Sequence, residues 1–337
     1  MLTLVLRDLQ YRAVRVLVVA VLMAIIITLL FVMTGLVNQF NTEPVLATER
    51  AGGELNWVVP ETSTGPLSSP RAAPPGSIES VDGVEPMLIG LASLDGARAT
   101  VIGRAELGDQ PPISAGRYPT AAGELLVDES FGGAVGDTVD FAGGTATIVG
   151  TTTDATVLAG VPLVFTQLEH AQAALANGAP VVTAGLTTAT PASLPDGLRL
   201  MTAEEVAADG LVPLLNAISS VDLVRGLLWL ITLIIISAVI YITALERTRD
   251  FAVLKAVGAN DRSLALSLIV QGILMTLLAV AIAAVLQLFI APLFPMTVRV
   301  PGKAFWQIPL GGTIVALLAG IAGARRAAST PAAEAFE

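Results

Sequence analysis

The chain reads ERTRDFAVLKAVGANDR from Glu246 to Arg262, a charged segment between two long apolar runs. Phe251, Leu254 and Val257 recur near helical spacing, and the charged side chains fall outside that stripe. Gly258 can end such a helix, because glycine adopts the left-handed conformation without the steric cost of a Cβ. The pattern predicts a short amphipathic helix. A solvated loop that joins two membrane spans is the alternative that the pattern leaves open.

The same residues carry a resemblance to a known family. The order Glu-Arg-x-Arg-Asp-Phe-Ala-Val-Leu-Lys-Ala-Val-Gly-Ala, directly after an apolar run, is similar to the signature of the FtsX-like permeases. These include the MacB-type, lipoprotein-releasing and cell-division permeases of ABC systems. The resemblance implies that the segment is a cytoplasmic coupling helix, which docks into a groove of a separate ATPase subunit. The coupling residues that it implies are Glu246, Arg247, Arg249, Asp250, Phe251, Leu254, Lys255, Val257 and Gly258.

The whole chain has the composition of an integral membrane protein. Of its 337 residues, 54% are hydrophobic and 14% are charged, and the mean hydropathy is +0.75. A helix needs roughly 20 apolar residues to cross a bilayer. Four runs meet that length, and we predict transmembrane helices at 16–40, 222–245, 263–292 and 305–324.

Basic residues near these spans predict the orientation, because loops rich in Lys and Arg stay in the cytoplasm. One side carries Arg7, Arg12, Arg15, Arg247, Arg249, Lys255, Arg262, Arg325 and Arg326, and the other carries only Arg299 and Lys303 near the spans. We therefore predict a multi-pass protein of the bacterial inner membrane with both termini in the cytoplasm. The cytoplasmic parts are an amphipathic helix at 1–15, the coupling segment at 246–262 and a tail at 325–337. The outer parts are 41–221 and a short loop at 293–304.

Residues 41–221 are predicted to form a mixed α/β domain. Short β-type runs alternate there with turn signals, at 87–91, 99–102, 125–127, 138–141, 146–149 and 163–165. Helices are predicted at 169–176 and 202–208, and Thr202 and Glu205 have the spacing of a capping box. Gly136-Asp137 predicts a turn rather than a metal or catalytic site. The runs at 123–127, 135–139, 146–150 and 163–171 resemble the MacB-type periplasmic domain.

Charge and missing motifs exclude several classes of function. The segment 41–221 carries 6 Arg and no Lys against 21 Asp and Glu, a net charge of −15, which argues against nucleic-acid binding. Gly302-Lys303 is followed by Ala304, so the chain has no phosphate-binding loop of its own. His170 is the only histidine and is expected to be exposed and inert, and no cysteine is present. We predict no catalytic residue, metal or directly bound cofactor, and ATP and magnesium are expected on the partner ATPase.

The tail, from Ala324 to Phe336, also resembles the closing motif of the family, in which basic residues precede Pro-Ala-x-Glu-Ala. The single four-span unit is similar in layout to the short permeases of the haem-export and DevC-like branch. The resemblance implies a type VII, mechanotransmission-type permease: a homodimer bound to two ATPase subunits and to membrane lipids. A cell-envelope protein is a further predicted partner.

Two functions follow from this interpretation. In the first, the complex exports an amphipathic or hydrophobic compound, which contacts the spans around Phe31, Met33 and Trp229. Packing within the helix bundle is the alternative role of Phe31 and Met33. In the second function, the movement of the outer domain regulates a cell-envelope enzyme or sensor and nothing is transported.

Overall fold

The computed structural model of the chain describes residues 13–105, 111–191, 193–246, 261–294 and 296–329. These residues fall into two compact units. Unit 2 comprises residues 39–218 together with Met296 and Thr297, and unit 1 comprises the other described residues. Residues 1–12 of the amphipathic helix predicted at 1–15 lie outside the described residues.

Six α-helices run through the described chain. They are α1 (Ala13–Gly52), α2 (Leu168–Ala176), α3 (Ala203–Leu211), α4 (Leu215–Glu246), α5 (Asp261–Ile290) and α6 (Ala304–Ser329). Four stretches are long and apolar enough to cross a membrane: Leu17–Gly52, Ala203–Thr243, Ile269–Leu293 and Ala304–Ile321. The prediction of four membrane helices is confirmed. A short 3₁₀ segment, Val212–Leu214, joins α3 to α4, so the second stretch extends beyond the predicted span.

Small residues bring the helices of unit 1 close together. A Cβ placed on Gly312 of α6 would lie 2.8 Å from the Thr276 side chain of α5, and one on Gly320 would lie 2.6 Å from Ile269. Lipid tails are as apolar as leucine, so helices in a membrane associate through close packing and hydrogen bonds rather than through the hydrophobic effect. The close approach of α5 and α6 is the packing that these glycines permit.

Unit 2 is built around a mixed sheet. Its strands are β1 (Asn56–Pro60), β2 (Glu85–Leu94), β3 (Ala97–Arg104), β4 (Ile113–Gly116), β5 (Glu124–Asp128), β6 (Thr138–Phe141), β7 (Gly144–Thr152), β8 (Thr156–Val157), β9 (Val161–Gln167), β10 (Ala184–Thr187) and β11 (Leu198–Met201). The main path has the order β11-β1-β10-β2-β3-β9-β5-β7-β4. β3 pairs with β9, and β5 with β7, in parallel; the other pairs are antiparallel. The predicted mixed α/β domain between the first two membrane helices is confirmed.

Both faces of this sheet are covered by apolar side chains. One cluster contains Trp57, Ile89 and Phe165, together with Ala47 and Ala51 of α1. A second cluster contains Leu125, Phe141 and Val164 and packs against α2. Alternate strand residues point to opposite faces, so a strand covered on both faces is apolar nearly throughout. The Val-Ile-Leu-rich runs of β3, β5 and β9 therefore lie at the centre of the sheet.

Six of the predicted strand runs fall within β2, β3, β5, β6, β7 and β9, but five observed strands were not predicted. β1, β4, β8, β10 and β11 have five residues or fewer, and β1 ends in proline. β8 pairs with β9 across a three-residue turn. The partners of the other four are distant in sequence: Trp57 of β1 lies opposite Leu186 of β10. Pairing between distant segments, rather than local alternation, makes these segments strands.

The predicted capping box begins α3. Thr202 Oγ1 accepts a hydrogen bond from the Glu205 backbone N–H at 3.2 Å, and the Glu205 carboxylate accepts one from the Thr202 N–H at 2.8 Å. Gly136 has φ of 99° and lies in a turn before β6, as predicted. The predicted N-terminus of α3 is thereby confirmed at Thr202.

The prediction of an exposed His170 was wrong. The imidazole is half-buried on α2, with Nδ1 2.9 Å from Thr166 Oγ1 and its ring 5.3 Å from the Phe141 ring. Burial disfavours the charged imidazolium and lowers the pKa of His170 below its ordinary value. The polar neighbours in sequence gave no sign of this, because the ring turns towards the apolar face of the sheet.

We expect the stability of the protein to fall in mild acid because of His170. The unfolded chain takes up a proton near pH 6.5, whereas the folded protein resists protonation until the pH is lower. The stabilisation is therefore complete above about pH 6.5 and declines as the pH falls from there towards the folded pKa. Thermal unfolding of the full chain in lipid nanodiscs, compared between His170→Gln and the unmodified chain, measures this. The variant should have the flatter pH dependence, and identical slopes would contradict the prediction.

Candidate functional site

The coupling segment predicted from the sequence is described only at its edges. α4 ends at Glu246 and α5 begins at Asp261. The other predicted coupling residues lie outside the described residues: Arg247, Arg249, Asp250, Phe251, Leu254, Lys255, Val257 and Gly258. Their role stays a prediction of the sequence.

The three predicted cargo residues, Phe31, Met33 and Trp229, all lie in unit 1. One is buried and the other two are partly exposed. Phe31 is fully buried, and its ring lies 5.2 Å from that of Phe305 at the start of α6. A Cβ on Gly311 of α6 would lie 2.5 Å from the Trp229 ring, so this half-buried tryptophan packs against the glycine. Met33 is half-exposed. The structure thus places two of the three against α6, and their contact with a cargo stays a prediction.

The described site with the most unusual chemistry is the outer end of α1, within unit 2. We call the residues that hold it the α1 anchor: Glu43, Arg50 and Ala51 on the helix, with Arg104 and Glu85 on the sheet. Ala47 and Ala51 are fully buried in the apolar core of unit 2. The small side chains allow the helix to lie close to the strands, and the polar groups then bind it at defined positions.

Arg104 links the last turn of α1 to the sheet. Its guanidinium is 5% exposed and holds the Glu85 carboxylate through two hydrogen bonds, Nε to Oε1 at 3.2 Å and Nη2 to Oε2 at 2.8 Å. Its remaining arm, Nη1, donates to the Ala51 carbonyl at 3.3 Å. The last carbonyls of a helix lack intrahelical partners and carry partial negative charge. The buried guanidinium donates a hydrogen bond to one of these carbonyls. Its positive charge also interacts favourably with the negative end of the helix dipole.

Two further side chains of α1 reach into unit 2. Arg50 donates from Nε to the Thr153 carbonyl at 3.0 Å. Glu43 is 1% exposed, and its two carboxylate oxygens accept hydrogen bonds from the backbone N–H groups of Ala159 and Gly160, at 2.9 and 2.7 Å. A buried charge needs such partners, since its desolvation is otherwise costly. The anchor therefore holds α1 at two levels, at Glu43 and about two turns further on at Arg50 and Ala51.

The helix that leads into the second membrane span packs against the same part of α1. A Cβ on Gly210, in the last turn of α3, would lie 3.0 Å from the Cβ of Pro44. Pro44 lacks a backbone N–H and so interrupts the hydrogen bonding of α1 at this level. The first and second membrane helices are thus both continued, at their outer ends, by segments that contact each other.

Sequence reasoning did not identify the anchor. Glu43, Arg50 and Arg104 read as ordinary charges of an acidic domain, because the backbone groups that they bind lie 53 to 117 residues away along the chain. One signal was present: Arg104 ends a buried strand that is otherwise apolar or small from Ala99 onward. Within the described part of the chain, no three acidic or histidine side chains are grouped so that they could hold a metal.

Comparison with known proteins places this architecture among permeases. Residues 223–332 match the model of the FtsX-like permease C-terminal family. The chain is 34% identical to an uncharacterized ABC transporter permease of Mycobacterium bovis over 98% of each chain. It is 37% identical over 70 residues to a putative hemin transport system permease, HrtB, of Staphylococcus epidermidis, which covers 21% of this chain and 20% of that protein.

Among solved structures, the chain resembles the periplasmic region of MacB from Actinobacillus actinomycetemcomitans. The superposition has a TM-score of 0.33 at 12% sequence identity, and it covers 49% of this chain and 96% of that one.

Replacing Arg104 tests the anchor. Arg104→Met keeps much of the apolar stem but leaves Glu85 and the Ala51 carbonyl without their cation. We expect the free energy of unfolding to fall by about 2–3 kcal/mol, because a buried charge pair loses one member. Thermal unfolding of the full chain in nanodiscs measures the change.

The matched control is Arg98→Met, which replaces an exposed arginine on the same strand. It should change the free energy of unfolding by about 0.5 kcal/mol or less. Equal effects would contradict the anchor.

Proposed function

This chain belongs to the FtsX-like ABC transporter permeases, and we propose that it couples ATP hydrolysis on a separate ATPase subunit to movement of its outer domain. It is a multi-pass membrane protein, and its family implies an ATPase partner. The single observation that carries the proposal is the α1 anchor. α1 is one helix of 40 residues that contributes residues to both units.

The anchor suits a helix that transmits movement. Apolar contacts are non-directional and tolerate sliding, whereas hydrogen bonds fix one position along the helix axis. Arg50 and Ala51, which are adjacent in the last turn of α1, take part in such bonds. Each bond to a charged group contributes about 1.5–3 kcal/mol, so a displacement of this end of α1 would carry the sheet with it rather than slip past it.

In this proposal, the segment 246–262 receives the movement. The apolar stripe of Phe251, Leu254 and Val257 docks into a groove on the ATPase, with the charged residues around it. The ATPase holds ATP and magnesium, and this chain binds neither. Two copies of the chain pair in the lipid bilayer, each with one ATPase, and the nucleotide shifts the complex between two states.

The cargo that we propose is an amphipathic or hydrophobic compound that reaches the membrane part around Phe31, Met33 and Trp229. The second candidate is a signalling module that regulates an envelope protein and transports nothing. The observation that favours it is the packing of Phe31 against Phe305 and of Trp229 against Gly311, since both rings already have partners within unit 1.

A charge in the apolar stripe should separate the chain from its ATPase. We expect Leu254→Asp, and independently Phe251→Asp, to weaken ATPase binding at least about tenfold, because an unpaired carboxylate is costly to bury in an apolar groove. The measurement is co-purification of the tagged chain from its host, followed by ATP hydrolysis.

Val135→Asp is the control for this experiment. Val135 is an exposed apolar residue of the outer domain, so the same charge placed there should leave the ATPase bound. Retention of a fully active ATPase by Leu254→Asp would refute the coupling role. Absence of any ATPase from the unmodified sample would refute the proposed function as a whole.

A second measurement distinguishes export from signalling. We expect amphipathic compounds, hemin first because one relative is named for its transport, to raise ATP hydrolysis by the purified complex in nanodiscs. Trp229→Ala should reduce that response, and Tyr241→Ala, near the other end of the same helix, should not. A rate that no compound changes, together with an envelope protein in the purified sample, would favour the signalling module.

A further inference from the structure

The contact of Glu43 with unit 2 differs from the other parts of the anchor. Arg104 and Arg50 bind carbonyl groups of a helix end and of a loop next to a strand, but Glu43 binds two successive N–H groups of a turn. That turn, residues 158–160, joins β8 to β9, whose residues Val157 and Val161 lie opposite each other. The turn is therefore a three-residue hairpin loop whose only described acceptor for these two amides comes from α1.

The backbone of the turn is unusual for its sequence. Leu158, Ala159 and Gly160 all have positive φ, at 52°, 69° and 99°. The left-handed region suits glycine, but an L-residue with a Cβ is strained there, and such strain persists only where surrounding contacts enforce it. The contact that enforces it here is the buried carboxylate, which brings the amides of residues 159 and 160 together on one anion.

The turn also touches a segment that is distant in sequence. A Cβ on Gly160 would lie 3.0 Å from the Cβ of Met296, which belongs to unit 2 although it follows α5 in the chain. Glycine is needed at position 160 both for its φ and for this close approach. A change in the turn therefore alters the environment of the chain between α5 and α6.

The space around the turn is nearly filled. A cavity of about 10 Å³ lies between Pro44, Val157, Leu158 and Gly210, next to Glu43 on α1. That volume is near the size of one water molecule and is too small for an organic ligand. The cavity leaves room for a small adjustment of the Leu158 side chain but not for a ligand. A conformational role therefore suits the turn better than a binding role.

We propose that Glu43 and the turn 158–160 form a releasable latch. The turn keeps its left-handed conformation while the carboxylate of α1 occupies its two amides. A displacement of α1 that withdraws the carboxylate lets the turn relax, and the contact with Met296 changes with it. The movement of α1 that opens the latch rests on the proposed function. The dependence of the turn on Glu43 does not rest on it.

The first test measures amide hydrogen exchange in peptides that contain residues 158–160 of the full chain in nanodiscs. Glu43→Gln keeps the shape of the side chain but offers one acceptor oxygen, and its NH₂ group would face an N–H donor. We expect exchange of these amides to be about tenfold faster or more, because a hydrogen bond to a charged acceptor contributes an equilibrium factor of that order. Glu54→Gln, an exposed glutamate just after the same helix, is the matched control and should leave the exchange rate unchanged. Unchanged exchange in Glu43→Gln would overturn the latch.

A second variant keeps the proposal testable if Glu43→Gln does not fold. Ala159→Gly removes the Cβ from a residue with φ of 69°. If the carboxylate enforces strain, the glycine variant should exchange more slowly than the unmodified turn, and it should restore protection in the double variant with Glu43→Gln. Faster exchange in the single variant would show that the turn is unstrained and would overturn the latch.

The last test adds the ATPase that co-purifies with the chain. We expect ATP and magnesium to change the exchange rate of residues 158–160 about tenfold relative to the nucleotide-free complex, and to leave Glu43→Gln unchanged. If the ATPase is present and hydrolyses ATP while the turn shows no response, the latch is overturned and the proposed function stands. If no ATPase binds but Glu43→Gln still exposes the turn, the proposed function fails and the contact with Glu43 stands.

Discussion

The buried Arg104 guanidinium, shared between the Glu85 carboxylate and the Ala51 carbonyl, is the interaction on which the outer part of the protein depends. A helix that ends inside a domain leaves carbonyl groups without partners, and burying them unpaired is costly. Arg104 satisfies one of these groups, and its own charge is neutralised by Glu85. The end of α1 can therefore lie within the sheet domain instead of at its surface, and its small residues Ala47 and Ala51 can join the apolar core.

The two units are stabilised by different forces, and the difference bears on how movement could pass between the ATPase and the outer domain. In unit 1, helices approach through small residues such as Gly312 and Gly320, without a hydrophobic drive between them. In unit 2, the sheet buries apolar side chains away from water on both faces. Membrane helices packed in the first way can shift with modest cost, whereas a close-packed core resists deformation. For the coupling that we propose, a helix with residues in both units would suit a transmitter, because the close-packed core at one of its ends resists deformation.

The sequence allowed the four membrane helices, the mixed α/β domain and the capping box at Thr202 to be predicted, since each rests on local pattern. It did not allow β1, β10 and β11 to be predicted, because strands of four or five residues acquire their identity from partners such as Leu186 opposite Trp57. For the same reason, Glu43 could not be recognised as an anchor: its partners lie 116 and 117 residues away. His170 was predicted as exposed, because the ring of Phe141 that covers it comes from a distant strand. The coupling segment stays a prediction, which rests on the order of its residues alone.

The position of Phe31 connects the membrane part of α1 with the anchor. Within unit 1, the Phe31 ring packs against Phe305 of α6, and within unit 2 the same helix is held at Glu43, twelve residues further along. Residues of one continuous helix move together, because its backbone hydrogen bonds resist stretching. Pro44 removes one bond of this ladder, the one to the Phe40 carbonyl, but α1 runs through this position as one helix. A displacement of α1 that separates Phe31 from Phe305 therefore also pulls on the carboxylate of Glu43. In the proposed mechanism, the release of a packing contact in unit 1 and a change in unit 2 would then be two consequences of one movement of α1.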